Sequence, residues 1–505
     1  MSILTMSEDG AEEASSEYRG SVRELLEVAI PLIISSGSVS LMHVVDRIFL
    51  TWWSVDALAA TLPAGITFWA AIALPMGIGI YTNTFVAQYS GAGRPERLVA
   101  SVWQGTYFVI VAGMLLLGLL PFTDELFRWM GHDPAVQTME IEYFSVMIYG
   151  ATPMLLAAVL SAFFSGRGRT RVVMAVNLLV AVLNIVLDYL MIFGVDGLIS
   201  PGGVRGAATA TVIAQATAAA LFAWLVIKAC REEGFPLWKN WRIDRGLIGR
   251  MLWYGMPNGF QFFVDIAGFA VFIGLVGHLG KESLTATNLA FNLNSLAFVP
   301  MMGLSTAVMT LVGQRIGERN PDLAVRTTWL ALAVSGCYMG LWAMIYLFAP
   351  NLILAPYAVF AEIESFDRLR PIVTLLLRFI VLYSFFDAML IVFGAAVRGA
   401  GDTRFSLVFS FIGAWFLMVL PVYLFTRAGS LTLWIAWSIV TFYIFVMGIG
   451  FLIRFQLGHW KSMSVIEHDT DAEPQEELTL PVTATTPADA AAAVSAAGGG
   501  HGESL

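Results

Sequence analysis

The stretch Val86-Ala87-Gln88-Tyr89-Ser90-Gly91-Ala92-Gly93-Arg94-Pro95 returns as Val312-Gly313-Gln314-Arg315-Ile316-Gly317-Glu318-Arg319-Asn320-Pro321. Gln88, Gly91 and Pro95 meet Gln314, Gly317 and Pro321 at an offset of 226 residues. Outward from there, the same offset pairs Pro31 with Pro257, Ala60-Thr61 with Ala286-Thr287, Gly77 with Gly303 and Trp103 with Trp329, without a gap. A duplication of this kind inside apolar sequence predicts two like halves that rock about a central site, a plan shared by many secondary transporters.

Composition places those halves in lipid. With 58% apolar residues, 13% charged residues and a mean hydropathy of +0.74, a soluble chain of 505 residues would expose far too much hydrocarbon. Apolar runs long enough to cross roughly 30 Å of hydrocarbon as helices fall at 28–53, 58–85, 99–121, 143–164, 172–194, 206–229, 251–279, 284–313, 327–349, 371–397, 404–426 and 430–455. Twelve such runs make two sets of six. Long continuous runs exclude a β-barrel, whose strands are short and alternating. The expected organisation is an acidic tail over 1–21, one lobe over 22–230, a basic linker over 231–250, a second lobe over 251–456 and an acidic tail over 457–505.

Lys and Arg set the expected orientation. Twenty of the 28, among them Arg94, Arg167, Arg169, Arg171, Arg242, Arg315, Arg319 and Arg398, fall on the side that shares the termini. Six fall on the other side and two, Arg47 and Arg378, lie inside spans. Both termini are therefore expected in the cytoplasm, and an even number of helices per repeat makes the two halves parallel. The net charge of −9 belongs to the tails, since the region between them is positive. The C-terminal tail, rich in Ala, Thr and Pro, is expected to be disordered. No cleavable signal is expected in the polar N-terminal segment, and Cys230 and Cys337 offer neither a disulfide framework nor metal-ligand spacing.

Ionisable side chains at lipid depth cost about 2.5 to 3.5 kcal/mol each, so they mark use. Asp46, Asp188, Asp265 and Asp387 are four such residues and are expected to face a wet cavity. Asn177, Asn184 and Asp188 stand at i, i+7 and i+11, and Asn258, Gln261 and Asp265 at i, i+3 and i+7, each set on one helical stripe. Asn288, Asn292 and Ser295 repeat the pattern. Carboxylate and amide oxygens suit a hard cation such as Na+, whereas a proton needs only a carboxylate shielded from water; either ion is allowed. The alternative for these amides is interhelical hydrogen bonding that joins the bundle. His43 lies on the face of Asp46 and is a candidate proton relay, and Pro31 and Pro257 are candidate hinges.

The segments Val45 to Leu50, Val86 to Arg94, Gly206 to Thr211 and Arg398 to Thr403 resemble the signature stretches of the multidrug and toxic compound extrusion (MATE) family, over about residues 22–455. The resemblance implies an all-α membrane fold of twelve helices in two six-helix lobes around a V-shaped cavity, sited in the cell inner membrane. It implies export of organic cations or amphipathic compounds in exchange for Na+ or H+; the chain is expected to act as a monomer among membrane lipids on small organic cation substrates, with no cofactor and no nucleic acid. Asp46, Asn184, Asp188 and Thr211 resemble the family's N-lobe cation site. Asp265, Tyr383 and Asp387 resemble the C-lobe site of its NorM-like branch, with Asp265 where that branch often has Glu. Two rival readings are a lipid-linked oligosaccharide flippase, which needs a basic cavity, and a membrane enzyme, which needs a convergent cluster that the six scattered His residues do not suggest.

Overall fold

In the computed structural model, which describes residues 18–198, 200–358 and 363–467, the chain is almost wholly helical. The compact body extends to Ile466, and the expected C-terminal tail lies outside the described residues apart from its root. Among the described residues twelve helices are long and apolar enough to cross a membrane. The first six are α1 Val22–Trp53, α2 Val55–Gly91, α3 Pro95–Leu117, α4 Pro134–Ser165, α5 Thr170–Phe193 and α6 Gly203–Glu232. The second six are α7 Arg245–Gly277, α8 Lys281–Gly317, α9 Pro321–Phe348, α10 Ile363–Ala400, α11 Thr403–Arg427 and α12 Leu433–Gln456. The fold expected from composition and repeat is the one found.

Local chemistry sets where helices begin. Ser21, Ser54, Asp244 and Thr432 cap α1, α2, α7 and α12 through side-chain oxygens that accept otherwise orphaned N–H groups. Pro95 and Pro321 open α3 and α9, positions where a missing N–H is harmless. The offset of 226 holds for both ends of α2 and α8 and for the first residues of α3 and α9. It has grown to 233 at Thr170 and Thr403, which open α5 and α11. The second repeat has thus gained residues before its fifth helix.

Packing repeats as well. α2 packs on α4, α4 on α6 and α1 on α5; correspondingly α8 packs on α10, α10 on α12 and α7 on α11. The two lobes meet through α1 with α8, α2 with α7 and α2 with α8. At this seam the approach is backbone to backbone, which glycine permits. A Cβ on Gly91 would stand 2.0 Å from the carbonyl oxygen of Gln314, and one on Gly317 would stand 2.0 Å from that of Gln88. A second reciprocal pair lies deeper: a Cβ on Gly77 would meet Gly259 at 2.5 Å, and one on Gly303 would meet Ile33 at 2.6 Å. Each matched pair exchanges partners across the duplication, so an approximate two-fold axis runs through the seam. Pro31 and Pro257, both inside helices, stand two residues before Ile33 and Gly259.

Most of the seam's hydrogen bonds among the described residues lie toward the C-terminal ends of α2 and α8. Gln88 donates from Nε2 to the carbonyls of Gly399 (3.0 Å) and Ala400 (3.3 Å), and Gln314 donates to that of Gly166 (2.9 Å). Asn83 donates to Thr310 Oγ1 (2.9 Å) and Tyr81 to the carbonyl of Arg398 (2.9 Å). Arg315, only 2% exposed, pairs with Glu24 of the other lobe and with Glu318. At the repeat-related place Arg250 donates to the Tyr89 hydroxyl instead (3.2 Å). This end also carries the Arg-rich turns and is called the basic end below. Arg315 is therefore a seam residue as well as one of the expected topology charges.

The segment between α6 and α7 clasps α3. Trp103 donates to the Leu237 carbonyl (3.0 Å) and Gln104 to that of Arg242 (3.0 Å), while Arg97 pairs with Asp244 at 2.7 Å. Burial alone would raise the Asp244 carboxyl, but the Leu247 N–H and the Arg97 guanidinium outweigh it and hold the group below the usual carboxylate range.

Candidate functional site

The parallel contact of α1 with α5 has one register along its length. Near the basic end Asn177 Nδ2 donates to Ser35 Oγ at 2.6 Å. Eleven residues further along both helices, three turns on the same faces, stand Asp46 and Asp188, and Asp188 lies in the field of Asp46. Asn184 stands one turn before Asp188 on α5. Asp188 and Asn184 are completely buried and Asp46 is 8% exposed.

Among the described residues the buried side-chain polar atoms of Asp46, Asn184 and Asp188 find no hydrogen-bond partner. Both carboxylate oxygens of Asp188, both polar atoms of the Asn184 amide and Oδ1 of Asp46 are buried without a hydrogen bond. In apolar surroundings an unmet polar group costs about 1 to 3 kcal/mol, and more when charged. This cluster could hold a cation, a proton or water. Its donor set, oxygens from Asp46, Asp188 and Asn184, fits a hard monovalent cation. Thr211 on α6 is buried and makes no hydrogen bond among the described residues. Tyr143 on α4 is buried within the field of both aspartates; nothing in its spacing marked it in the sequence.

Arg47 follows Asp46 and is exposed; its charge acts on Asp46, yet among the described residues it forms no ion pair with any of the four aspartates. His43 is half-buried and makes no hydrogen bond among the described residues.

The second lobe arranges its acids differently. On α10, Asp387 is 6% exposed and Tyr383, one turn earlier, 2%. Asp265 on α7 is exposed. Its charge acts within the lobe: Tyr443 of α12 lies in the field of both Asp265 and Asp387, and Arg398 of α10 in that of Asp265. Among the described residues none of the four aspartates forms an ion pair with Arg or Lys.

The amides divide. Asn177 is engaged as described, Asn258 donates to the Gly77 carbonyl across the seam (2.8 Å), and Gln261 donates to Ser410 Oγ (3.0 Å) while its Oε1 stays unmet. The Gln261–Ser410 bond is the repeat counterpart of Ser35–Asn177, with amide and hydroxyl exchanged between helices. Asn288 and Asn292 are exposed, Asn292 donating to the Asn288 carbonyl on their own helix (2.9 Å). Asn294 is instead the buried amide of α8, with Oδ1 unmet. It lies 200° around the helix from Asn292, so the polar stripe led to the other face. Among the described residues no group of three His, Cys, Asp or Glu gathers as a metal site.

α11 departs from regular geometry over Ile412–Val419, which forms a π-helix. Its counterpart in α5, the segment that carries Asn184, is an uninterrupted α-helix. Such insertions often sit at functional sites.

Comparison with known proteins agrees with the duplicated geometry. The MatE family model matches twice, over residues 31–190 and 257–424, once in each half. The chain is 27% identical over 458 residues to a probable multidrug resistance protein NorM of Thermotoga maritima, covering 88% of this chain and 95% of that one. It is 26% identical over 442 residues to the multidrug resistance protein MdtK of Yersinia pseudotuberculosis, covering 84% and 93%. Among solved structures it resembles a MOP superfamily transporter from Pyrococcus furiosus, with a TM-score of 0.78, 23% identity and coverage of 87% and 96%. A MATE structure in complex with MaL6 matches with a TM-score of 0.79 at the same identity and coverage.

Proposed function

The chain belongs to the MatE family of membrane transporters, and from that premise we propose that it is a secondary antiporter that exports organic cations or amphipathic compounds in exchange for Na+ or H+. The observation that carries the proposal is the buried cluster of Asp46, Asn184 and Asp188, whose buried polar atoms have no hydrogen-bond partner among the described residues. A buried site that is incomplete without a small cation is a coupling site. The second lobe supports the other half of the exchange: Asp265, Asp387, Tyr383 and Tyr443 offer negative charge and ring faces to a larger cation.

Alternating access follows from the seam. Ion entry at Asp46 and Asp188 neutralises charge between α1 and α5, which lets the two helices close on each other. Pro31 lies on the same helix, where the missing N–H frees a backbone carbonyl one turn earlier and softens it. A shift of α1 there alters the contact of Ile33 with Gly303 and so reaches the other lobe. The basic end, facing the cytoplasm in this reading with both termini, opens and closes as the seam parts. His43, one turn from Asp46, serves as relay if the ion is H+.

The test is efflux of a fluorescent organic cation from proteoliposomes, driven first by a Na+ gradient and then by a pH gradient. Transport under one gradient and not the other identifies the ion, and transport under neither refutes the exchange.

A further inference from the structure

Beyond α12 the chain does not leave the body at once. After Gln456 it makes a short turn over His459–Ser462 and runs as a strap through Ile466. Its root is fixed to the second lobe. Trp460 is fully buried, stacks on Phe455 with ring centroids 4.9 Å apart and donates its N–H to the Phe455 carbonyl at 2.8 Å, while Lys461 pairs with Asp322 of α9 at 3.2 Å. Further along, Tyr254 of α7 donates to the Ser464 carbonyl at 3.3 Å, and Val465, 1% exposed, sits against Gly401 of the α10–α11 turn.

The tip of the strap then reaches the other lobe. Ser464 Oγ (3.0 Å) and the Val465 N–H (2.9 Å) both donate to Gln88 Oε1 on α2. Gln88 at the same time donates from Nε2 to Gly399 and Ala400 of the second lobe. One buried amide thus joins α2 both to the C-terminal end of α10 and to the strap. At the repeat-related Gln314 only the bond to Gly166 is present among the described residues, because the segment after α6 runs to α3 instead.

We propose that residues 463–466 form a latch that holds the seam closed at the basic end. The strap moves with the second lobe, so parting the lobes breaks its two bonds to Gln88 and leaves its root intact. This rests on the alternating-access reading above. Two hydrogen bonds of ordinary net strength correspond to a bias of about 5- to 150-fold in the closed-to-open ratio.

Pulsed EPR distances between spin labels at Glu96→Cys on α3 and Arg326→Cys on α9, in a protein carrying C230A and C337S and reconstituted in liposomes, read that ratio directly. A chain ended after Ile466 keeps the strap and should match the full chain. A chain ended after Met463 keeps the Trp460 root but loses the tip, and should gain a longer distance with the open population raised about 5- to 150-fold. Full-length S464A/V465P, which removes both donors, should behave like the shorter chain. Equal distributions in the two shortened chains overturn the latch. If organic cation or an ion gradient lengthens the separation in the full chain while the tip-deleted forms do not differ from it, the latch alone fails; if no condition lengthens it in any form, alternating access fails with it.

Discussion

The two lobes are built on one scaffold and finished differently. In the first, Asp46 on α1 and Asp188 on α5 are both buried, Asp188 lies in the field of Asp46, and Asn184 is buried one turn before Asp188. At the repeat-related places the second lobe has Phe272, fully buried, and Pro421. Its own acids sit elsewhere, Asp265 on α7 and Asp387 on α10, and Asp265 is exposed within the lobe. Duplication therefore preserved the packing while the charged sites diverged. Packing depends on small residues at the crossings and tolerates little change. A charge needs only a partner and a cavity, and can be placed on any helix that supplies them.

The largest expected effect separates the two sites. Asp188→Asn removes the carboxylate that takes up the ion and should reduce ion-driven efflux on the order of a hundredfold, toward the upper end of the roughly 1 to 3 kcal/mol usual for coupling between sites. Asp387→Asn should leave the ion dependence in place and weaken the apparent affinity for the organic cation. Initial rates against ion and substrate concentration in proteoliposomes measure both; the reverse ranking would exchange the roles of the lobes.

Next in size is the shared seam. Gly91→Ala and Gly317→Ala each press a methyl into a facing carbonyl and should lower thermal stability by about 1 to 3 kcal/mol. Gly65→Ala, which meets open space, should not. Unequal losses at 91 and 317 would show that the two-fold seam is symmetric only in outline.

Smaller still are the matched amides. Asn177→Leu and Gln261→Leu each remove one interhelical hydrogen bond, worth about 0.6 kcal/mol in a membrane bundle. Similar small shifts in melting temperature are expected from the two. A much larger functional loss from Gln261→Leu would mean that its unmet Oε1 also serves the cavity.

The smallest effect lies in the connection between lobes. The Asp244 carboxyl is held below its ordinary range, so its contribution is present above about pH 4 and is lost as pH falls through the lowered value. Asp244 is partly exposed, and screening keeps the effect to a few tenths of a kcal/mol. Asp244→Asn should remove that part of the acid destabilisation below pH 4, measured by thermal unfolding in detergent, and leave stability near pH 7 almost unchanged.

Much of this was legible in the chain itself. Twelve spans, two repeats and the four deep aspartates all follow from hydropathy, an offset and the cost of charge in lipid, because each depends on residue type and spacing alone. The division of the amides was not legible. Asn177, Asn184 and Asp188 share a stripe, yet one is tied to Ser35 while the others are left unmet, and only the α1–α5 crossing separates them. Asn294 was hidden behind a more regular stripe on the same helix, and Tyr143 has no pattern of its own. The π-helical stretch in α11 also left no mark, since its residues are as apolar as those of a regular span.

What the amino-acid order determined by itself is therefore the class of solvent, the number of crossings and the kinship of the halves: burial in lipid and helical periodicity are summed over many residues and survive local uncertainty. What only the tertiary structure decided is which polar atoms are satisfied. Hydrogen bonding depends on a few tenths of an ångström and on the neighbour brought from far along the chain, as when Gln88 meets both Gly399 and Val465, and no spacing rule carries that information.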